Sequence, residues 1–251
     1  MSLAINLQSI KCLNETSEAS ASDEVYVLVT TALFRTPLPG VPASVAEHNV
    51  IHYGIFEDMD DDDPNPVTVS GPAFWGLDGN PAPIGEPDDV AVIVSLMEHD
   101  NGSPQQYREL VDVKASQSLL SSAANPSTAR RAALLVDDVN NVLNAIDVPI
   151  PFAFDDDHLG TRLLPLDSSD LLKGGMKEKR MVISGDGGEY ELVFRIRYRG
   201  WEHSVPGLAD VVHVLPGTSP TSWYTPKDNV QHIAYVGTDQ QIHEPFFRLD
   251  P

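Results

Sequence analysis

The chain has 251 residues, with 37 Asp and Glu against 16 Lys and Arg, for a formal net charge of −21. A field of that sign repels phosphate backbones and anionic lipids. It argues against non-specific nucleic-acid binding and against membrane contact not bridged by cations. A hydrophobic content of 41% sets the chain apart from disordered sequences.

The acids divide into 24 Asp and 13 Glu. Salt adaptation or a general solubility charge would scatter them over the surface, whereas a cation site concentrates them. The single Cys12 sits in the alternating run INLQSIKCL and reads as a small buried apolar residue, so the fold does not depend on an internal disulfide. The first residues, MSLAINLQSIKCL, lack a basic region, an apolar stretch and a cleavage site, which predicts no signal peptide. No run approaches the ~18–20 apolar residues of a membrane-spanning helix. The expectation is a soluble chain, cytoplasmic by default, with signal-less secretion left open.

Twenty Pro and seventeen Gly favour turns and strands over helices. In chain order, residues 5–13 alternate as a half-buried strand does, and 14–22 form a polar loop. The β-branched and aromatic run 25–34 is a second strand and 49–56 a third. The acid run EDMDDDDPNP follows at 57–66, and 74–89 is loop-rich. Residues 89–99 are nearly all apolar, the pattern of a strand buried on both faces.

From Pro104 to Ala124 and from Pro126 to Ile146 the spacing becomes helical. Ala132, Leu135, Val136, Val139, Val142, Leu143 and Ile146 recur at three- and four-residue steps. Asn125-Pro126 separates the two stretches, with Pro126 suited to a first helical turn. This predicts a helical hairpin. Strands are expected at 150–154, 160–166, 179–184 and 189–199, with a short helix over 171–176. GDGG at 185–188 reads as a hairpin turn. Residues 200–251 form a tail with short strand-like runs VVHVL, HIAYVG and QIHEPFF. The predicted fold is mainly β: an antiparallel sandwich over 1–199, a helical-hairpin insertion at 104–147, and a β-rich tail.

The acids cluster at the inferred strand ends. Glu57, Asp58, Asp60, Asp61, Asp62 and Asp63 form one group, and Asp155, Asp156 and Asp157 another. Glu98 and Asp100 alternate in MEHD, and Asp23 and Glu24 open a strand. Calcium takes six to eight oxygens at ~2.3–2.6 Å from carboxylates and carbonyls on loops, which is what such clusters offer. Without a cation the carboxylates would repel one another. The bland alternative is a solvated acidic loop, and it weighs most on 57–63.

Zinc has less support. His48 and His52 share a face, but the chain has no CxxC or HExxH, and His99 and His158 read as loop residues beside the acids. Nucleophilic catalysis lacks a GxSxG elbow or a Cys–His arrangement. A carboxylate pair for glycoside hydrolysis is not specific among so many acids.

The order of parts resembles the calcium-binding C-two domains. Their pattern has a loop ending Ser-Asp-Pro-Tyr-Val, a later loop opening with Asp-x-Asp, and a close in Asp-Asp-x-Ile-Gly. SDEVYV at 22–27 is similar to the first without its proline, SLMEHD at 95–100 to the second, and FDDDHLG at 154–160 to the third. The resemblance covers roughly 4–199. It implies an antiparallel sandwich holding calcium at one end. The hairpin at 104–147 is then an insertion in the third calcium loop, a departure from the family's short loop, and a hairpin projecting beside the metal would suit partner binding. Asp23, Glu98, Asp100, Asp156 and Asp157 are the first-choice ligands, and Glu57, Asp58 and Asp60 the second.

In the tail, QHIAYVGTDQQIHEPFF at 231–247 is similar to one repeat of the sugar-binding β-propeller lectins. One repeat cannot close a propeller, and a plain β-hairpin turning at 238–241 is the favoured reading. The tail aromatics Trp201, Trp223, Tyr224, Tyr235 and Phe246 suit sugar faces, and the tail offers strands for oligomer pairing. The expected role is non-enzymatic calcium binding with carbohydrate or another protein as a candidate partner. The alternatives are a carbohydrate-binding adhesion module and a metal-dependent hydrolase.

Overall fold

The structure is a computed structural model. It describes residues 2–16, 23–34, 46–61, 63, 65–69, 71–77, 84, 86–100, 102–146, 156–170, 176–199, 221–225, 230–236, 242–243 and 246–248. The elements are β1 (Ser2–Asn14), β2 (Asp23–Leu33), β3 (Glu47–Met59), β4 (Val67–Thr68) and β5 (Pro72–Phe74), then the 3-10 turn η1 (Pro87–Asp89) and β6 (Val90–Glu98). Next come α1 (Pro104–Ser121), α2 (Thr128–Ile146), β7 (His158–Leu163), β8 (Met176–Gly185) and β9 (Gly188–Arg199). The tail contributes β10 (Thr221–Thr225), β11 (Val230–Val236), β12 (Ile242–His243) and β13 (Phe246–Arg248). The expected strand at 150–154 lies outside the described residues, as do VVHVL and 171–175 of the helix expected over 171–176, whose last residue, Met176, instead begins β8.

Among the described residues all strand pairs are antiparallel. One sheet runs β4-β1-β9-β8 with β5 also on β1, and a second runs β3-β2-β6-β7. Their facing sides share one core. Leu3, Ile5, Leu7 and Ile10 of β1, with Tyr190, Leu192, Phe194 and Ile196 of β9, meet Val25, Val27 and Val29 of β2 and Val92, Val94 and Leu96 of β6. The period of two sorts each strand between this core and the opposite face. The alternation in β9 therefore builds the sandwich as expected.

The helical hairpin lies between β6 and β7, as expected. Instead of projecting, it lies on the outer face of the β3-β2-β6-β7 sheet. Tyr107, Val111, Ala115 and Leu119 of α1, spaced by four, and Ala132, Leu135, Val139 and Leu143 of α2 pack on Tyr26, Leu28, Ile93 and Met97. Every residue of β6 is thus buried, on one side by the sandwich and on the other by the helices. Full burial of a Leu or Val side chain is worth about 1.5–3 kcal/mol, so an apolar stripe on each helix holds the pair down. Pro104 opens α1 at a position that has no intrahelical use for its missing N–H. Helix α2 begins two residues after Pro126. Asn125 Oδ1 accepts the Ser127 N–H (3.0 Å), and Ser127 Oγ accepts the Arg130 N–H (3.2 Å) as the cap.

The tail strands form their own antiparallel sheet, β10-β11-β12 with β13 also on β11. Tyr235 pairs with His243 and Val236 with Ile242, so β11 and β12 of the 231–247 segment are antiparallel neighbours. Its expected turn at 238–241 lies outside the described residues.

Candidate metal centre

Two rows of core side chains end in acids at one end of the sandwich. Along β2 the inward residues Val29, Val27 and Val25 lead to Asp23, and along β6 Val92, Val94 and Leu96 lead to Glu98. Both acids are buried, at 2% and 3% exposure. On the segment that leads into β7, Asp157 lies two residues before inward-facing Leu159. Its N–H donates to Glu98 O (3.1 Å), and its carbonyl accepts the Glu98 N–H (2.8 Å). The ladder thereby sets Glu98 and Asp157 opposite one another on the inward face.

A third carboxylate comes from the other sheet. Gly185-Asp186-Gly187-Gly188 turns β8 into β9, with φ of +47° at Asp186 and +89° at Gly187, the left-handed pair of a type I′ turn. A Cβ at Gly185 would stand 2.0 Å from Leu159 O. Glycine there lets the turn lie against the start of β7 and brings Asp186 to the acids of the opposite sheet. Ligand oxygens of Glu98, Asp157 and Asp186 lie within 4.8 Å of one another.

Thr16 and Tyr190 order the buried pair beside this group. Asp23 accepts the Thr16 N–H at 2.8 Å and the Tyr190 hydroxyl. Thr16 Oγ1 stands 2.9 Å from Asp23 Oδ1 and 2.8 Å from Glu98 Oε1. A hydroxyl has one proton to give, so Thr16 serves only one of the two carboxylates as donor. Burial, then the hydrogen bond and charge of Asp23, push the Tyr190 phenol far above its ordinary value. Burial likewise pushes the Cys12 thiol up to about 11, with Tyr190 opposing and Asp23, Glu15 and Asp61 adding. Cys12 is therefore an inert thiol, as its apolar setting in the sequence suggested.

Asp156, one residue from Asp157, faces the other way. Its Oδ2 accepts the Tyr26 hydroxyl (2.9 Å). Its Oδ1 takes the N–H groups of Asp100 (3.1 Å) and Gly102 (2.7 Å) and lies 3.1 Å from His99 Nδ1. The Tyr107 hydroxyl donates to Asp156 O and accepts from Asp156 N, each at 3.1 Å. A Cβ on Gly102 would fall 2.5 Å from this carboxylate, so glycine is what allows the contact. Asp156 thus ties the β6 end to the start of α1. Asp100 contributes its backbone to that tie, and its side chain is exposed. Burial first, then Asp156, raise the Tyr26 phenol well above its usual range.

Glu57 and Asp58 are exposed near the end of β3, Asp58 with a φ of +55°. Asp60 belongs to a different group, with Glu15 and Asp61. There the Asp61 N–H pulls the Glu15 carboxyl down. Desolvation and the neighbouring Asp60 and Asp61 outweigh it and hold the carboxyl above the ordinary range. Asp155 and Asp62 lie outside the described residues.

The structure therefore joins Glu98 and Asp157 with Asp186 and sets Asp23 beside them through Thr16. It separates Asp156 to the helix side and Glu57, Asp58 and Asp60 to the β3 end. Asp186 and Glu15 escaped the sequence reading. An Asp-Gly turn signals only a hairpin, and its neighbour across the sandwich depends on how the two sheets pack. In the tail, Trp223 and Tyr224 stand in β10, Tyr235 in β11 and Phe246 in β13, on one sheet, and Trp201 lies outside the described residues.

The fold and this acidic end define a mainly-β protein, an antiparallel sandwich with a helical layer on one face. Comparison with known proteins found no match: no family model, no curated protein and no solved structure matches the chain. No helix among the described residues is long and apolar enough to cross a membrane.

Proposed function

We propose that this chain is a calcium-binding β-sandwich protein with a non-enzymatic binding role, the ion held at the acidic end by Glu98, Asp157 and Asp186. The observation that carries the reading is the convergence of these three carboxylates, from three separate segments, within 4.8 Å. Repulsion among them in a chain of net charge −21 is a standing cost that a divalent cation offsets. The donors are all oxygens and sit on loops and strand ends, which suits a hard cation of adaptable coordination and disfavours zinc. Asp23 supports the site by fixing Glu98 through Thr16. Asp156 and Asp100 hold the loop that presents it.

The test is calorimetric titration of calcium into the protein and into Asp186→Asn. The reading expects one binding event in the wild type and at least a tenfold weaker one in the variant. Equal binding by the two proteins places any calcium elsewhere, and the absence of binding to the wild type removes the reading.

A further inference from the structure

The opposite end of the β2–β6 sheet carries a feature the acidic site does not use. Helix α2 has no acidic residue in its first turn. It has Arg130 and Arg131 there instead, although the chain holds more than twice as many acids as bases. Exposed Asp or Glu is the stabilising choice beside the positive end of a helix dipole, and a cation there is unfavourable. Arg130 is exposed, but Arg131 is 1% exposed. Its guanidinium lies over the Phe34 ring, 4.8 Å from the centroid, at the end of β2. Its Nε and Nη2 are closed to solvent and have no hydrogen-bond partner among the described residues. Burial lowers the guanidinium from its ordinary value with no carboxylate opposing.

A buried guanidinium edge without acceptors is destabilising, and more so beside a helix N-terminus. The contact with Phe34 offsets only part of that. The unmet atoms are also specific. Nε and Nη2 form one edge of the guanidinium, the fork that matches two oxygens of a carboxylate or phosphate. An oxyanion on that edge would answer the burial, the dipole and the two missing acceptors together.

We propose that the first turn of α2 is an oxyanion-binding site in which Arg131 receives a phosphate or carboxylate group on its Nε–Nη2 edge, with Arg130 on the solvent side. Because the fork is closed to solvent, occupancy requires local opening of the helix start, where sub-global opening is least costly. The site is independent of calcium at the other end of the sheet.

The experiment is thermal melting in chloride, acetate or inorganic phosphate at matched ionic strength, for the wild type, Arg131→Met and Arg131→Lys. The expected result is a rise of about 3–5 °C for the wild type in phosphate or acetate over chloride, absent in Arg131→Met and reduced in Arg131→Lys, which keeps the charge but not the fork. Whichever anion gives the rise identifies the group. In chloride, Arg131→Met is expected to melt at or above the wild type, because the uncompensated charge is gone. An equal anion response in all three proteins marks a general salt effect and overturns the proposal. So does an Arg131→Met protein that melts several degrees lower in chloride or fails to fold, since that shows a guanidinium already paired within the chain.

Discussion

Glu98 and Asp157 exchange both backbone hydrogen bonds across the end of the β6–β7 ladder, at 2.8 and 3.1 Å, and so stand opposite one another as like charges on the inward face. Directly opposed like charges destabilise a sheet, by roughly 0.2–1 kcal/mol on surfaces. Asp157→Asn is therefore expected to stabilise the calcium-free protein by about 0.5–1 kcal/mol in urea unfolding, while removing most of the gain from calcium. A loss of stability in chelator would show that Asp157 is satisfied without a cation.

Gly185 controls how the third carboxylate arrives. A Cβ there would meet Leu159 O at 2.0 Å, a backbone atom that cannot yield without moving β7 or the turn. Gly185→Ala is expected to cost about 2–3 kcal/mol in chemical denaturation, by overpacking. It should also weaken calcium binding by displacing Asp186. A variant that loses stability but binds calcium as before would detach Asp186 from the site.

Tyr107 joins the helical layer to the sheet end through one oxygen bonded to both the N–H and the carbonyl of Asp156. Tyr107→Phe keeps the ring and leaves two buried backbone groups unmet. The expected cost is about 1–3 kcal/mol. Hydrogen exchange should rise at the start of α1 before it rises in the sandwich.

The turn at 167–170 supplies a pH dependence. Ser169 first, then Lys179, hold the Asp167 carboxyl well below its ordinary range. A folded value below the unfolded one gives stability that is complete above the unfolded value, ~3.9 for Asp, and lost as pH falls through the folded value. Acid unfolding followed below about pH 4 should therefore be shallower in Asp167→Asn. Lys179 also pairs at 2.6 Å with Asp170, whose side chain is 2% exposed. Lys179→Met leaves that buried carboxylate with only the Asp167 N–H and the more distant Lys177 (3.9 Å), and is expected to cost about 1–2 kcal/mol at neutral pH, with part of the loss recovered in acid.

Much of this fold was legible because each signal was local. The unbroken apolar run of β6 announced burial on both faces, and the helices supply the second cover. The stripe at three- and four-residue steps in α2 and the GDGG turn each carry their own geometry. The candidate site was half legible. Asp23, Glu98 and Asp157 end inward rows and could be found from strand parity. Asp156 differs from Asp157 by one position, and the period of two sends it to the helix side, a distinction that a run of three aspartates hides. Asp186 and Thr16 join through contacts between sheets and across a loop, which no spacing along the chain encodes. The resting place of the hairpin depended on the apolar outer face of β2 and β6.

Whether the acidic end holds calcium is decided by thermal melting in calcium, magnesium and chelator. Calcium at concentrations well above its Kd is expected to raise the melting temperature by several degrees, with little change in magnesium and no calcium response in Asp157→Asn or Asp186→Asn. One melting temperature across all three conditions for the wild type would contradict calcium binding there.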